Sequence, residues 1–229
     1  MNKNTVKNNI LVIAAHADDE ALGCAGTLAK HVAAGDVVNV IFMTNGLSAR
    51  NDGDAIDHAI RNEGMINAMK TLGVENYLCF DFPDNQMDSV PLLTITKAIE
   101  NVIDIYKPTI VYTHFAHDLN IDHQITHQAT MTACRPIIGS SVRKILTFEV
   151  LSSTEWQSPS LPQFTAQYIV DISQYWHTKE AILACYHQEL RHFPHSRSLP
   201  CIEALAILRG ASHGFEKAEA FHVERILEN

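Results

Sequence analysis

His16, Asp18, Asp19 and Glu20 follow directly on an apolar run, Ile10-Leu-Val-Ile-Ala-Ala15. Carboxylates at consecutive positions repel one another unless a cation or solvent compensates. A divalent metal held by His16 and one aspartate is the economical compensation. The alternative is a helix start, where Asp18, Asp19 and Glu20 would favour the positive end of the macrodipole. That accounts for the acids but leaves His16 unexplained. A second polar group lies far along the chain, in Phe115-Ala-His-Asp-Leu-Asn-Ile-Asp-His123. A catalytic zinc typically takes three protein ligands and keeps a position open for water. His16 and Asp19 supply two, and His123, at the start of a helical pattern, supplies a third. His123 paired with His127, four residues on and on the same helix face, is the rival geometry. His127 otherwise packs behind the ligands, while His114 and His117 divide between support of the site and ordinary surface. Asp18 and Asp19 are adjacent, so their side chains diverge: one binds metal and the other faces its open side. That suits metal-assisted hydrolysis, in which the ion lowers the pKa of bound water towards about 7 and a carboxylate removes its proton.

The elements that must position these residues alternate regularly. The run ending at Ala15 is too short for a buried helix and reads as a central strand covered on both faces. A helix over 20–34 follows, ended by Gly35. Gly23 and Gly26 lack the full Gly-x-Gly-x-x-Gly pattern, and the acids around them would repel a pyrophosphate. Close packing of the helix on the sheet is the better account. A strand over 36–44 leads to a loop carrying Arg50, then a helix over 54–72 capped by Gly73. A strand over 76–80 leads into an acidic, turn-rich loop holding Asp84. A helix over 91–106 and a strand over 108–114 complete that series, and a helix over 122–133 precedes a strand over 143–150. The pattern is that of right-handed βαβ units: an α/β protein, a mostly parallel sheet with helices on both faces. Residues 152–164 read as loop, 167–171 as a strand and 173–189 as a helix. The basic loop 191–198 carries His195 and Arg197, a helix over 199–209 ends at Gly210, and a short strand covers 220–226. No repeat or domain boundary is visible, so residues 1–229 read as one domain.

The composition excludes several classes of function. The 229 residues carry a formal charge of −9, with a pI near 5.8. A nucleic-acid partner would want a basic stripe. No apolar run approaches the roughly eighteen residues of a membrane span, and the polar N-terminus lacks a signal-peptide core. A cytoplasmic protein is expected. Cys24, Cys79, Cys134, Cys185 and Cys201 are scattered, with no Cys-x-x-Cys, and read as reduced, mostly buried thiols.

The two motifs together resemble the LmbE-like, or PIG-L-like, N-acetylglucosaminyl de-N-acetylases, across most of the chain. That family carries Ala-His-Pro-Asp-Asp-Glu at the end of its first strand; here the motif is Ala15-His16-Ala17-Asp18-Asp19-Glu20, with alanine for proline. Its second motif, His-x-x-His, here is Asn120-Ile121-Asp122-His123, with asparagine for the first histidine. The resemblance implies a Rossmann-like fold, with His16, Asp19 and His123 as ligands of Zn2+ or another divalent ion. It implies Asp18 as general base and Asp122 behind the ligands. The family's first histidine stabilises the oxyanion and assists the leaving amine. Asn120 can donate a hydrogen bond but is no acid. Either Asp18 carries the proton to the amine or His195 enters. The family also implies an arginine and an aspartate at the sugar, placing Arg50 and Asp84 there. Arg197 suits a phosphate or carboxylate on the substrate.

The expected partner is therefore a small N-acetylated amino sugar or glycoconjugate, with nucleotide linkage and a homo-oligomer both open, and no nucleic acid or membrane insertion. Two other functions compete: a zinc amidohydrolase of a different acyl amine, and a non-catalytic sugar- or nucleotide-binding protein that kept the fold. The acids in the first turn disfavour a nicotinamide-dependent oxidoreductase.

Overall fold

A computed structural model of the chain describes residues 7–44 and 55–228, the side chains of 55–59 excepted. Arg50 lies outside the described residues. The elements are β1 (Asn9–Ala14), α1 (Asp19–Ala33), β2 (Val37–Thr44), α2 (Ala55–Leu72), β3 (Asn76–Phe82), α3 (Leu92–Tyr106), β4 (Ile110–His114), α4 (Ile121–Ala133), β5 (Lys144–Phe148), β6 (Tyr168–Asp171), α5 (Trp176–Cys185), α6 (Leu199–Ala211) and β7 (Ala218–Ile226). The sheet runs β3-β2-β1-β4-β5-β7-β6. β1 to β5 are mutually parallel, and β7 is antiparallel to both β5 and β6. This is the α/β architecture that the alternating pattern implied.

The order has a functional consequence. β2 and β3 lie on one side of β1 and β4 lies on the other, so the chain reverses direction across the sheet between β1 and β4. Loops leaving these two strands part at their carboxyl ends and open a crevice there. The residues following β1 and β4 are those singled out by chemistry.

Strand alternation divides the core. Ile10, Val12 and Ala14 pack with Leu28 of α1, Met69 of α2 and Leu183 of α5. Leu11 and Ile13 pack on the opposite face with Ile95 and Ile99 of α3 and Ala129 of α4. Successive strand side chains point to opposite faces, so a continuous apolar run is what a strand covered on both sides needs. Gly23 and Gly26 are packing glycines: a Cβ at Gly23 would lie 2.4 Å from the Phe148 ring, and one at Gly26 2.8 Å from Ile172.

Two expectations fail at the C-terminal end. The helix expected over 173–189 is a short 3-10 turn, Ser173–Tyr175, followed by α5, which stops at Cys185. Beyond it, Tyr186 turns its hydroxyl onto Glu20 of α1. Gly210 does not end α6. It lies within the helix, and a Cβ there would meet the Lys217 backbone at 2.8 Å, so glycine serves close approach rather than termination. Among the described residues, no helix is long and apolar enough to cross a membrane.

A buried ion pair fastens α1 to this C-terminal part. Lys179 and Glu219 are both almost fully buried. The Lys179 ammonium donates to Glu219 Oε1 at 2.6 Å and to the Leu22 carbonyl at 2.8 Å. The Glu219 carboxylate also accepts the N–H groups of Gly26 and Thr27.

Candidate metal centre and active site

The carboxyl ends of β1 and β4 bring His16, Asp19 and His123 together. His16 Nδ1 lies 3.3 Å from His123 Nε2 and 3.3 Å from Asp19 Oδ2, and His123 Nε2 lies 3.3 Å from Asp19 Oδ1. Zinc–ligand bonds of about 2.0–2.1 Å in a tetrahedron place neighbouring donors about 3.3–3.4 Å apart, the separation of His123 Nε2 from both His16 Nδ1 and Asp19 Oδ1. Asp19 Oδ2 is occupied by the His16 backbone N–H at 2.8 Å. Asp19 Oδ1 is buried with no hydrogen-bond partner among the described residues, which leaves it as the donor oxygen.

Each histidine is held from behind by a carboxylate. His16 Nε2 lies 3.1 Å from both Asp84 and Asp122, and Asp122 is in turn fixed by the N–H groups of Asn85 and Met87. Asp118 Oδ1 lies 3.1 Å from His123 Nδ1. Asp118 itself accepts from the Ser153 and Thr154 hydroxyls and the Asn120 N–H. Such partners set the tautomer and aim of a ligating imidazole. Behind them, His114 accepts the Ala15 N–H and stacks on the His123 ring at a 3.9 Å centroid separation.

The charge balance points to a cation. Asp18, Asp19, Glu20, Asp84, Asp118 and Asp122 are all buried here. Burial opposes charge on His16, but Asp122, Asp19 and Asp84 raise its proton affinity well above the ordinary value. Burial likewise opposes charge on His123, yet Asp19 and Asp118 push it up to about 9. Asp118 falls to about 2 despite burial, through His123 and its hydroxyl donors. Asp18 rises to about 7 chiefly through burial, against the pull of Arg197. A divalent ion between His16, Asp19 and His123 meets the same demand for positive charge.

Asp18 precedes α1 as its N-cap residue but caps nothing with its side chain. The macrodipole favours its charge there, but no capping bond fixes its carboxylate. Its backbone has φ 133°, a conformation rare for residues with a Cβ. Arg197 Nη1 donates to Asp18 Oδ2 at 2.8 Å.

The remaining expected residues fall as follows. Asn120 is the N-cap of α4: its Oδ1 accepts the Asp122 N–H and its amide donates to Asn85. That amide is committed to loop structure. Asp84 is buried against His16 rather than open in its loop. His195 is half-buried, with Nδ1 accepting the Arg197 N–H and its ring edge-on to Trp156. His127 hydrogen-bonds the His114 carbonyl and joins neither group of clustered potential ligands, so the His123/His127 pair is not formed. Sequence reasoning gave no role to Asp118, Ser153, Thr154 or Tyr186. Asp118 carried a faint signal, a carboxylate shortly before a helix that opens on histidine. The others carried none.

The Asp118 carboxylate gives a sharp test. Asp118→Asn keeps the shape but removes the charge facing His123 Nδ1. Metal affinity should fall by about 10–100-fold, as for lost partners behind a ligand. Competition with a chelator measures it, and unchanged affinity would refute the orienting role.

Comparison with known proteins gives the family and the fold. The family model described as GlcNAc-PI de-N-acetylase (PIG-L) matches residues 11–134. The uncharacterized deacetylase YaiS of Escherichia coli K12 is 35% identical over 136 residues, covering 57% of this chain and 70% of that protein. The N,N'-diacetylchitobiose deacetylase of Pyrococcus horikoshii superposes with a TM-score of 0.74 at 18% identity, covering 94% of this chain and 83% of that one. The 4-carboxy-2-hydroxymuconate hydratase GalB of Pseudomonas putida KT2440 superposes with the same TM-score, 0.74, at 20% identity, covering 98% and 99%. The fold thus serves more than one reaction, and the site must decide which.

Proposed function

Since the chain belongs to the GlcNAc-PI de-N-acetylase (PIG-L) family, we propose that it is a zinc-dependent hydrolase that removes the N-acetyl group from an amino sugar or glycoconjugate. The observation that carries the reading is the triangle of donors from His16, Asp19 and His123, with a further buried carboxylate, Asp18, beside it. His16 Nδ1, Asp19 Oδ1 and His123 Nε2 hold the ion; zinc fits these donors, and other divalent ions compete for them. Bound there, it supplies a Lewis acid for an acyl carbonyl and acidifies water. Asp18 takes the proton from water as it attacks the acetamide carbon. The same carboxyl then gives that proton to the departing nitrogen, because the Asn120 amide is engaged in its loop. The C–N bond breaks, and acetate and a free amine leave. His195, whose Nδ1 accepts a backbone N–H, carries its neutral-state proton on Nε2 and supplies a hydrogen-bond donor for the oxyanion.

Bound metal and acetate release are measured together, on a panel of N-acetylated sugars, free, lipid-linked and nucleotide-linked. Acetate from at least one sugar, lost on chelation and restored by zinc, is the expected result. Metal without turnover on any amide favours a binding protein. A folded protein that takes up no zinc would overturn the reading.

A further inference from the structure

The matched family region ends at residue 134, yet the residues that grip Asp18 come partly from beyond it. Arg197 lies in the loop between α5 and α6. Its Nη1 donates to Asp18 Oδ2 at 2.8 Å, its Nε donates to the Leu151 carbonyl at 3.3 Å, and Glu189 stands 3.9 Å away. The Arg197 side chain is only 19% exposed. The Arg191 N–H donates to the Arg197 carbonyl, closing the loop on itself. At the other end of Asp18, the backbone N–H donates to Glu20 Oε2 at 3.1 Å, and Glu20 Oε1 accepts the Tyr186 hydroxyl at 2.7 Å. The rare φ of Asp18 is therefore held by a buried acid that is itself held by a buried tyrosine. Among the described residues, no hydrogen bond engages Asp18 Oδ1.

We propose that Arg197 is the positioning residue of Asp18: with the Tyr186–Glu20 pair at the backbone, it anchors one carboxylate oxygen and leaves the other to accept the proton from water. This deepens the deacetylase reading and rests on it. It assigns Arg197 to the base rather than to an anionic group on the substrate. Two of its five N–H donors are committed, to Asp18 and to the Leu151 carbonyl, and these fix the plane and aim of the guanidinium on the base. Correct aim of a reacting group is worth much of a barrier, and a misplacement of about 1 Å costs about 100-fold.

The test has two arms on the metal-loaded protein. In steady-state kinetics on the panel substrate, Arg197→Met lowers kcat by about 100-fold and leaves KM within about two-fold. Arg197→Lys restores about ten-fold of that loss. Added to Asp18→Asn, Arg197→Met costs nothing further. Glu20→Gln, which still accepts the Asp18 N–H, keeps more kcat than Glu20→Ala. A KM rise of ten-fold or more at constant kcat overturns the proposal and returns Arg197 to the substrate. The second arm needs no turnover. Arg197→Met lowers the Tm by about 4 °C in the wild-type background and by under about 1 °C in Asp18→Asn, because no charge is then left stranded. Equal shifts in both backgrounds overturn the clamp. If the wild type hydrolyses no amide while this coupling persists, the clamp stands and the deacetylase reading falls.

Discussion

Asp18→Asn lowers kcat for acetate release by about 10²–10⁴-fold, the range for loss of a general base, and leaves the metal content unchanged. The two halves of that result have separate causes. The donors that face one another are His16 Nδ1, Asp19 and His123 Nε2, and Asp18 is absent from the set. Removing its charge therefore takes nothing from the metal. Asparagine keeps an oxygen for Arg197 Nη1, so the local arrangement survives. What it cannot do is accept and return a proton. The variant leaves the Arg197 guanidinium without its counter-charge, so thermal unfolding of the same samples separates any loss of stability from the loss of the base. Steady-state acetate release with metal analysis on the same samples decides it. Turnover near the wild-type value would remove Asp18 from the chemistry. A loss of metal alongside activity would instead make it a ligand.

Lys179→Met destabilises the protein by about 3–5 kcal/mol, the usual cost of stripping one partner from a buried ion pair. At about 2–4 °C per kcal/mol for a chain of this size, the Tm falls by about 10 °C. The variant leaves the Glu219 carboxylate buried with only the Gly26 and Thr27 N–H groups for company, and it strands the Leu22 carbonyl. The double variant Lys179→Met with Glu219→Gln recovers most of the loss. The glutamine oxygen still accepts from α1, and no charge remains to be paired. Thermal unfolding of both proteins tests this. A single variant melting within about 2 °C of the wild type would show that the pair does not fasten α1 to α5 and β7. The pair grips α1 at Leu22, Gly26 and Thr27, within about two turns of the Asp18–Glu20 segment, so its loss should also loosen the site.

The ligand triangle and the lysine pair differ in how they could be foreseen. His16 and Asp19 are local: one short turn after a strand fixes their relation, and a strand end followed by acids is visible in any reading of the chain. His123 needed one further step, that βαβ units bring strand ends to one edge. The order β1 beside β4 supplies it. The resemblance implies Asp84 at the sugar and puts Asn120 where the family has its oxyanion histidine; in the structure Asp84 lies against His16 and Asn120 caps α4. A loop's composition says which groups are available and not which way they face.

The sequence by itself determined the alternation of strands and helices, the two-faced burial of β1, the packing role of Gly23 and Gly26, and the family. Each follows from periodicity or from residues close in the chain, where backbone geometry leaves few choices. The tertiary structure alone decided the insertion of β7 between β5 and β6, the carboxylates standing behind His16 and His123, and the Lys179–Glu219 pair. It also decided the meeting of Arg197 with Asp18 across 179 positions. Contacts at such separations are set by how buried charges find partners once the core has closed. No local pattern encodes that pairing, because the cost of leaving each charge alone exists only in the folded interior.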